Sequence, residues 1–468
     1  MFLAFVTVPV MIAASPIRLP RTADIHVSGS VALFTLGLVF FSTLLSGLVP
    51  AMRMFAEHRA GLAEGAKSLT TSRHQAVAGR VLMVAQTSLA LVLLAGATLM
   101  FRSFLKIVAV PPGFETQRLL TFQVPLNGTR YQTTASTSRF AESAVEKLRS
   151  LPGVQAATYA SAMPFVTGLN EYVVPAGRKD IEVHFATEPR AVTPEYFETL
   201  RSPLLAGRGF TSIDNGSSTR VVIINKTLAD LWWRGVNPVG QSVMNGDTAL
   251  QVVGVAADLH ESSLDQPPQP MIMVPLAQVQ DRGTAFVNRL FPASFLVRTA
   301  NDVHLAGPIR EAIHSIDSEV PIENIRPMEE VIDVSLAGPR FFGSLFGAFA
   351  GFALLLTVTG IYGLLSYLVN QKTREIGLRM ALGASRGRVL WQFLWQAIAV
   401  SSAGVALGLL GAIGLMHFLR AFLFEVAPAD PLSLLLAGLL LAAAALIAAL
   451  LPALRATRVN PIVALRYE

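Results

Sequence analysis

The chain has 468 residues, of which 52% are hydrophobic and 15% charged, and it contains no cysteine. Its mean hydropathy of +0.51 exceeds what the core of a soluble protein needs, which favours a membrane protein. The formal net charge of +6 does not indicate nucleic-acid binding, because no basic stripe with stacking aromatics is visible. Without cysteine, disulfides, thiol nucleophiles and thiolate metal sites are excluded.

Five apolar stretches are long enough to cross a hydrocarbon core, which takes roughly 20 helical residues. They are residues 31–49, 81–101, 341–368, 391–418 and 431–451. None holds a charged residue well inside, which argues against a proton- or ion-coupled carrier. A sixth stretch, residues 1–14, is short and contains Pro9. It lacks the charged start and cleavage site of a signal peptide, so we interpret it as the remaining half of a helix whose start is missing.

Basic residues cluster in two segments beside the apolar stretches. Residues 52–80 carry Arg53, Arg59, Lys67, Arg73 and Arg80, and residues 370–390 carry Lys372, Arg374, Arg379, Arg386 and Arg388. Because positively charged loops stay on the cytoplasmic side of a bilayer, both segments are predicted to be cytoplasmic. Alternation of the helices then places residues 103–340 outside and the C-terminal tail inside.

The outer segment, residues 103–340, has the patterning of a folded α/β domain. Residues 119–125 predict a strand, 138–151 an amphipathic helix and 154–161 a second strand, which together form a β-α-β unit. Residues 294–298, 304–316 and 322–326 predict another such unit at the end of the domain. Between them, short β runs at 220–225, 250–256 and 271–275 indicate an inserted, mainly β lobe.

The cytoplasmic segment 371–390 has an apolar face flanked by alternating charges. Ile376, Leu378, Met380 and Leu382 form that face. Such a helix could insert into a groove on a partner protein, or it could lie at the membrane surface and orient the neighbouring spans. The residues alone leave both readings open.

Several motifs of enzymes are missing from the chain. No G-x-x-x-x-G-K-[ST] phosphate loop occurs, so the backbone cradle and lysine that bind nucleotide phosphates are missing. His260-Glu261 lacks the second histidine of a zinc protease motif, and Asp258, His260 and Glu261 are interpreted as loop residues of the β lobe. We therefore expect no catalytic residues, no cofactor and no metal in this chain.

Small residues recur at four-residue spacing in two spans. They are Gly343, Gly347 and Gly351 in the first and Gly404 and Gly408 in the second. This spacing permits close helix approach, either within one chain or at the seam of a homodimer or of two modules. A weak repeat also relates Pro50-Ala51-Met52-Arg53 to Pro452-Ala453-Leu454-Arg455, each following an apolar span. It predicts one full module over residues 81–468 behind the tail of an earlier one.

Two longer motifs carry a family resemblance. They are Thr373-Arg374-Glu375-Ile376-Gly377-Leu378-Arg379-Met380-Ala381-Leu382-Gly383-Ala384-Ser385 and the closing Pro452-Ala453-Leu454-Arg455-Ala456-Thr457-Arg458-Val459-Asn460-Pro461-Ile462-Val463-Ala464-Leu465-Arg466. Both resemble the FtsX-like permease domain of MacB-type ABC transporters. Four short segments are similar to the MacB-like periplasmic core domain: Pro112-Gly113-Phe114, Leu151-Pro152-Gly153-Val154, Val192-Thr193-Pro194-Glu195-Tyr196-Phe197 and Val252-Val253-Gly254-Val255.

The resemblance implies a domain order. Residues 1–50 resemble the remnant of a preceding permease module, 51–80 a cytoplasmic linker, 81–102 a transmembrane helix, 103–340 the periplasmic core domain and 341–468 the permease domain, with a coupling segment at 370–390. The expected fold class is an α-helical membrane protein of five to six transmembrane helices with a large extracytoplasmic mixed α/β domain and an inserted β-rich lobe.

The resemblance also implies partners and a function. ATPase coupling is assigned to Arg374, Glu375, Ile376, Gly377, Leu378, Arg379, Ala381, Leu382, Gly383 and Ala384. The expected partners are a cytoplasmic ABC ATPase that binds ATP, a second copy or permease module, a periplasmic adaptor and the lipids of the cell inner membrane, with no nucleic acid. The expected function is ATP-driven export. The alternatives are mechanotransmission to an extracytoplasmic enzyme without transport, and a sensor without an ATPase.

Overall fold

The computed structural model describes residues 29–31, 33–37, 39–41, 43–44, 68–166, 169–177, 187–301, 305–371, 385–420, 423–427 and 430–457. The chain divides into two compact units. We call Val108–Leu336 the sheet unit, and Met1–Ile107 with Ala337–Glu468 the helical unit.

The main helices in chain order are α1 (Ser68–Val108), α2 (Thr134–Arg149), α3 (Tyr196–Leu200), α4 (Lys226–Trp232), α5 (Asp281–Leu290), α6 (Ala306–His314), α7 (Met328–Ser335), α8 (Ala337–Gln371), α9 (Arg386–Leu419) and α10 (Pro431–Thr457). The strands are β1 (Leu119–Val124), β2 (Val154–Ala160), β3 (Val173–Pro175), β4 (Glu188–Val192), β5 (Leu204–Gly207), β6 (Val221–Asn225), β7 (Ser242–Asn245), β8 (Thr248–Ala256), β9 (Met271–Pro275), β10 (Ala293–Thr299) and β11 (Glu323–Pro327).

Four helices of the helical unit are long and apolar enough to cross a membrane. Their apolar portions are Gly79–Val108, Ala337–Tyr367, Ile398–Leu415 and Pro431–Pro452, which confirms four of the five predicted spans. Helix α1 begins at Ser68, so the end of the predicted linker 51–80 is already helical. The predicted span 31–49 is described only in part, as a short apolar helix, Gly29–Phe41, and residues 1–14 lie outside the described residues.

The helical unit has an apolar core shared by its long helices. Leu91 and Leu99 of α1 are fully buried, and they pack in one cluster with Ala353 of α8, Ala412 of α9 and Leu441 of α10. Because the spans are otherwise uniformly apolar, the small side chains at these contacts, rather than hydrophobicity, decide which helix faces meet.

The sheet unit is built on one continuous sheet in the order β11-β1-β10-β2-β4-β9-β6-β8-β7-β3, with β5 paired to β8. The first four strands pair antiparallel. Both predicted β-α-β units are confirmed, but they interleave, because β10 lies between β1 and β2. This is a split β-α-β arrangement. Helices α2 and α6 cover one face, where Phe122 and Phe295 stack with ring centroids 5.1 Å apart.

The inserted lobe extends this sheet rather than forming a separate one. The predicted runs at 220–225, 250–256 and 271–275 are confirmed as β6, β8 and β9. One residue pair, Ala160 with Val192, joins β2 to β4, so the two halves of the sheet meet at a narrow seam. Helix α4 covers the outer half on one face, and α3 and α7 pack against the opposite face.

Candidate coupling site

The segment predicted to bind an ATPase lies outside the described residues. Its ten assigned residues fall within 372–384, none of which is described. Both flanks are described: α8 ends at Gln371, and Ser385 is the N-cap residue of α9. The segment therefore joins the ends of two membrane-capable helices, and its role stays a prediction.

Two tryptophans lie near the start of α9, which is the end that follows the predicted coupling segment. Trp391 and Trp395 are one helical turn apart, are 59% and 58% exposed, and their ring centroids lie 6.1 Å apart. Exposed tryptophans at the end of a membrane helix are typical of the lipid headgroup level. Their exposure fits the entry of α9 into a membrane at this end.

Glycines of α9 determine how closely it approaches α1. A Cβ atom on Gly404 would lie 2.6 Å from the Cβ of Thr87, and one on Gly408 would lie 2.9 Å from the Cβ of Leu91. This small-residue pattern therefore serves packing within the chain. In contrast, Gly343, Gly347 and Gly351 of α8 have no atom within 4 Å of their Cβ positions among the described residues.

The end of α1 that leads into the sheet unit binds the connection between α9 and α10. Arg102 forms an ion pair with Asp430, and Asp430 accepts a hydrogen bond from the backbone N–H of Ser433 at 2.8 Å in the first turn of α10. The hydroxyl of Ser103 accepts from the N–H of Phe424 at 2.9 Å. These contacts hold the end of α1 against the start of α10.

Residues 109–118, which we call the connector, join α1 to β1. Phe114 is 8% exposed and packs in the core of the sheet unit. The N–H of Glu115 donates to the carbonyl of Leu200 at 3.0 Å, and the N–H of His260 donates to the carbonyl of Pro112 at 3.1 Å. The connector is thus held along its length.

Gly113 is the tightest point of the connector. Its φ of +91° lies in the left-handed region, and a Cβ atom there would lie 2.1 Å from the carbonyl oxygen of Asp258. Only glycine fits such a close approach without strain. The Pro112-Gly113-Phe114 motif therefore fixes the connector on the loop between β8 and β9.

Arg298 of β10 holds the connector from the other side. It is 2% exposed. Its guanidinium donates to the carbonyls of Glu115 at 2.7 Å, Gln117 at 2.9 Å and Thr199 at 2.6 Å. Burial lowers the pKa of Arg298, and its hydrogen bonds to three carbonyls compensate for the loss of water.

The carboxylate of Glu115 has its own partner. The guanidinium of Arg201 donates to both of its oxygens, at 2.8 and 3.0 Å. This hydrogen bonding lowers the pKa of Glu115 below its ordinary value. The connector therefore carries a charged side-chain anchor in addition to its main-chain contacts.

The second connection between the units leaves the sheet beside the first. Strand β11 pairs antiparallel with β1, with Leu120 opposite Pro327 and Thr121 opposite Arg326. The hydroxyl of Thr121 donates to the carbonyl of Arg326 at 3.1 Å. Helix α7 follows β11 directly, and α8 begins at Ala337. Both membrane helices thus join neighbouring strands at the same end of the pair.

A buried ion cluster lies next to the loop that holds the connector. Arg190 of β4 is fully buried and pairs with Glu188 at 3.0 Å and with Glu261 at 2.5 Å. Glu261 is 3% exposed. Burial, together with the charge of Glu188, raises the pKa of Glu261 to about 7, although Arg190 opposes the shift. Two carboxylates therefore share one guanidinium in the core.

Comparison with known proteins identifies the family. The model described as MacB-like periplasmic core domain matches residues 61–314, more than half of the chain, and the model described as FtsX-like permease C-terminal matches residues 347–461. The chain belongs to the MacB/FtsX-type ABC transporter permeases. The FtsX-like match includes the segment 374–384, and the MacB-like match includes the connector.

Relatives in this permease family include proteins named for export. The chain is 29% identical over 293 residues to the macrolide export ATP-binding/permease protein MacB of Azoarcus sp. (strain BH72), a match that covers 60% of this chain and 43% of that protein. It is 26% identical over 316 residues to the uncharacterized ABC transporter permease YvrN of Bacillus subtilis (strain 168), covering 65% and 76%. The chain thus spans less than half the length of that MacB protein.

Part of the chain is also similar to a solved structure. The crystal structure of the periplasmic region of MacB from Actinobacillus actinomycetemcomitans aligns at 18% identity with a TM-score of 0.33, and the alignment covers 49% of this chain and 98% of that region.

Sequence reasoning missed three residues of this MacB/FtsX-type permease. They are Arg190, Glu261 and Arg298. Glu261 is a loop residue as predicted, but its side chain is buried against Arg190. The signal that could have found the two arginines is a charged residue inside an otherwise buried strand, which demands a partner.

Proposed function

We propose that this chain is a permease subunit that couples ATP hydrolysis by a separate cytoplasmic ATPase to movements of the sheet unit outside the cell inner membrane, in the service of export. The observation that carries this proposal is the pair of connections to the sheet. Helices α1 and α8 lead to β1 and β11, and these strands are hydrogen-bonded neighbours. A relative displacement of the two helices would act on one strand pair.

The connector is suited to transmit such a displacement. A flexible linker would absorb the movement of α1, whereas this connector is fixed by Phe114 in the core, by Gly113 on the Asp258 carbonyl and by the buried Arg298. Interdigitated cores are poorly compressible and pass strain to their neighbours. Movement of α1 is therefore delivered to β1, β10 and the loop after β8.

The cytoplasmic contact is assigned to residues 374–384. Their apolar face and flanking charges fit an amphipathic helix that docks in a groove of a partner. The exposed Trp391 and Trp395 support a position at the membrane surface. A partner bound there would act on α8 and α9 at once, because the segment joins them.

Export is favoured by the relatives that carry export in their names, such as the Azoarcus MacB protein. The same connections would serve a permease that controls an extracytoplasmic enzyme without moving a substrate. The two functions differ in their outer partners: an adaptor protein with an outer-membrane channel belongs to export, and a cell-wall hydrolase belongs to the alternative.

Copurification from membranes tests the proposal, with Ile376→Asp as the decisive variant and Ile376→Leu as its matched control. An unpaired carboxylate in an apolar contact costs several kcal/mol, so we expect an ATPase to copurify with wild type and with the leucine variant but at least about tenfold less with the aspartate variant. Wild-type recovery of the ATPase with Ile376→Asp, or no ATPase with any form, would overturn the coupling assignment. The outer proteins recovered decide between export and its alternative.

A further inference from the structure

The sheet unit contains a cavity of about 720 Å³ on one face of its sheet. The cavity lies at the seam where β2 meets β4. Tyr159, Pro189, Ala191 and Val274 form its floor, and Phe286 and Val287 of α5 form a wall. Its volume falls within the range of about 300–1,000 Å³ that is usual for small-molecule sites.

The cavity is a gap between two separately packed cores. Ala191 borders the core beneath α2 and α6, and Val274 borders the core beneath α4. Each helix covers its own half of the sheet, and among the residues that the structure describes the strands at the centre keep an apolar floor that is only partly covered. Phe286 is 44% exposed beside it. Apolar surface in the middle of a continuous sheet is normally covered, so a ligand could take the place of the missing layer.

A buried tyrosine lies among the residues that line this space. Tyr159 is 1% exposed and lines the cavity. Burial raises the pKa of Tyr159, so the hydroxyl stays protonated and can donate. Buried tyrosine hydroxyls usually find a partner, which a ligand with an acceptor oxygen would supply.

Charges of both signs stand around the opening. Arg220 and Arg282 lie among the lining residues, as do Glu171 and Asp247. Glu171 accepts a hydrogen bond from Asn245 at 2.8 Å. The formal charges cancel, so the rim does not select a strongly anionic or cationic molecule.

We propose that this cavity binds a neutral or zwitterionic amphipathic organic molecule, with its apolar body on the floor and an acceptor oxygen on the hydroxyl of Tyr159. The site lies within the sheet unit and does not depend on an ATPase. Its test can therefore fail while the coupling function holds, and the reverse is also true.

The test uses the full chain in lipid nanodiscs and the neutral probe prodan, which has an apolar naphthalene body and a carbonyl acceptor. Because the chain has no cysteine, Val287→Cys places a single thiol in the cavity wall, and Glu311→Cys on the exposed face of α6 is its control. We expect saturating prodan to slow labelling of Val287→Cys by a water-soluble maleimide about tenfold and to leave Glu311→Cys unchanged. Probe dissolved in lipid does not affect this comparison.

Two further variants make the test specific. Ala191→Trp fills the floor and should abolish protection, and Tyr159→Phe removes only the hydroxyl and should raise the half-protecting concentration about threefold to tenfold. The anionic probe 8-anilinonaphthalene-1-sulfonate should protect less than prodan. The proposal is overturned if prodan protects neither thiol or both equally, if Ala191→Trp or Tyr159→Phe leaves protection unchanged, or if the anionic probe protects better.

Discussion

The guanidinium of Arg298 donates to the main-chain carbonyl of Glu115 at 2.7 Å, so β10, an inner strand of the sheet, holds the segment that enters from the membrane helix α1. The two residues are far apart in sequence but belong to one hydrogen-bonded unit. Movement of the connector cannot leave β10 unaffected.

Replacing Arg298 by methionine should loosen the connector. The change removes hydrogen bonds to three carbonyls, and bonds of this charged kind contribute about 1.5–3 kcal/mol each. We expect faster hydrogen exchange over residues 112–118 and a loss of about 3 kcal/mol in the free energy of unfolding. Arg118→Met is the control, because exposed Arg118 also donates to a carbonyl, that of Ala300 at 3.0 Å. Equal exchange in the two variants would refute the role of Arg298.

Gly113→Ala should displace the connector from the loop after β8. The new Cβ would lie 2.1 Å from the Asp258 oxygen at a φ of +91°, and such backbone strain costs about 1–3 kcal/mol. A lower melting temperature is expected. Gly128→Ala provides the control, since its φ is −75° and nothing lies within 4 Å of its Cβ position. If both variants melt at the same temperature, the close approach has no energetic role.

The stability of the sheet unit should fall as the pH rises from about 4.5 to 7. Burial raises the pKa of Glu261 from 4.5 to about 7, so in this window the folded chain holds a proton that the unfolded chain has released, and the free energy of unfolding decreases with pH. The full shift corresponds to about 3 kcal/mol. Glu261→Gln stays neutral, so it should keep its stability at pH 8.

Thermal unfolding at pH 5 and pH 8 measures this effect. Replacing Trp391 and Trp395 by phenylalanine leaves Trp232 and Trp233 of the sheet unit as the fluorophores among the 4 tryptophans. Glu198→Gln, at an exposed site on α3, should behave like wild type. A wild-type chain that is more stable at pH 8 than at pH 5 would contradict the prediction, as would a Glu261→Gln chain with an undiminished pH dependence.

Gly408→Val should separate α9 from α1. Its Cβ would lie 2.9 Å from that of Leu91, and overpacking of this kind costs about 1–3 kcal/mol. The melting temperature in detergent should fall, and the monomer peak in size-exclusion chromatography should become smaller. Gly414→Val places the same side chain where nothing lies within 4 Å among the described residues, and it should be tolerated. If both variants lost the same amount of stability, the cause would be a general intolerance of valine in α9 and not a close contact with α1.

Local pattern predicted seven of the eleven strands that the structure describes in the sheet unit, missing β3, β4, β5 and β7, and it did not predict which strands are neighbours. Strands β1, β6 and β9 stand out because their apolar runs end at proline or asparagine, and β2 because it follows Pro152-Gly153. The position of β10 between β1 and β2 could not be predicted, because pairing between distant segments leaves no local signal. The role of Arg298 could not be predicted for the same reason, because the carbonyls that accept its hydrogen bonds belong to the connector and to α3.

The helical unit was easier to predict in outline and harder in detail. Length and apolarity alone define the four spans, since a bilayer requires them. The spacing of Gly404 and Gly408 could predict a close approach between helices, but it could not predict that the partner helix is α1. The ion pair of Arg102 with Asp430 joins two helix ends that only the folded chain brings together.

The central claim is that ATP hydrolysis on a cytoplasmic partner moves the sheet unit through the connector. The most direct measurement is the distance between spin labels at Phe352→Cys, an exposed site on α8, and Ser217→Cys in the sheet unit, in nanodiscs with the copurified ATPase, because a connector that carries the sheet unit with α1 moves it relative to α8. With ATP and vanadate, the distance distribution should shift from that without nucleotide, and Arg298→Met should reduce the shift while the ATPase remains bound. Identical distributions with and without nucleotide, in the presence of an active ATPase, would contradict the account.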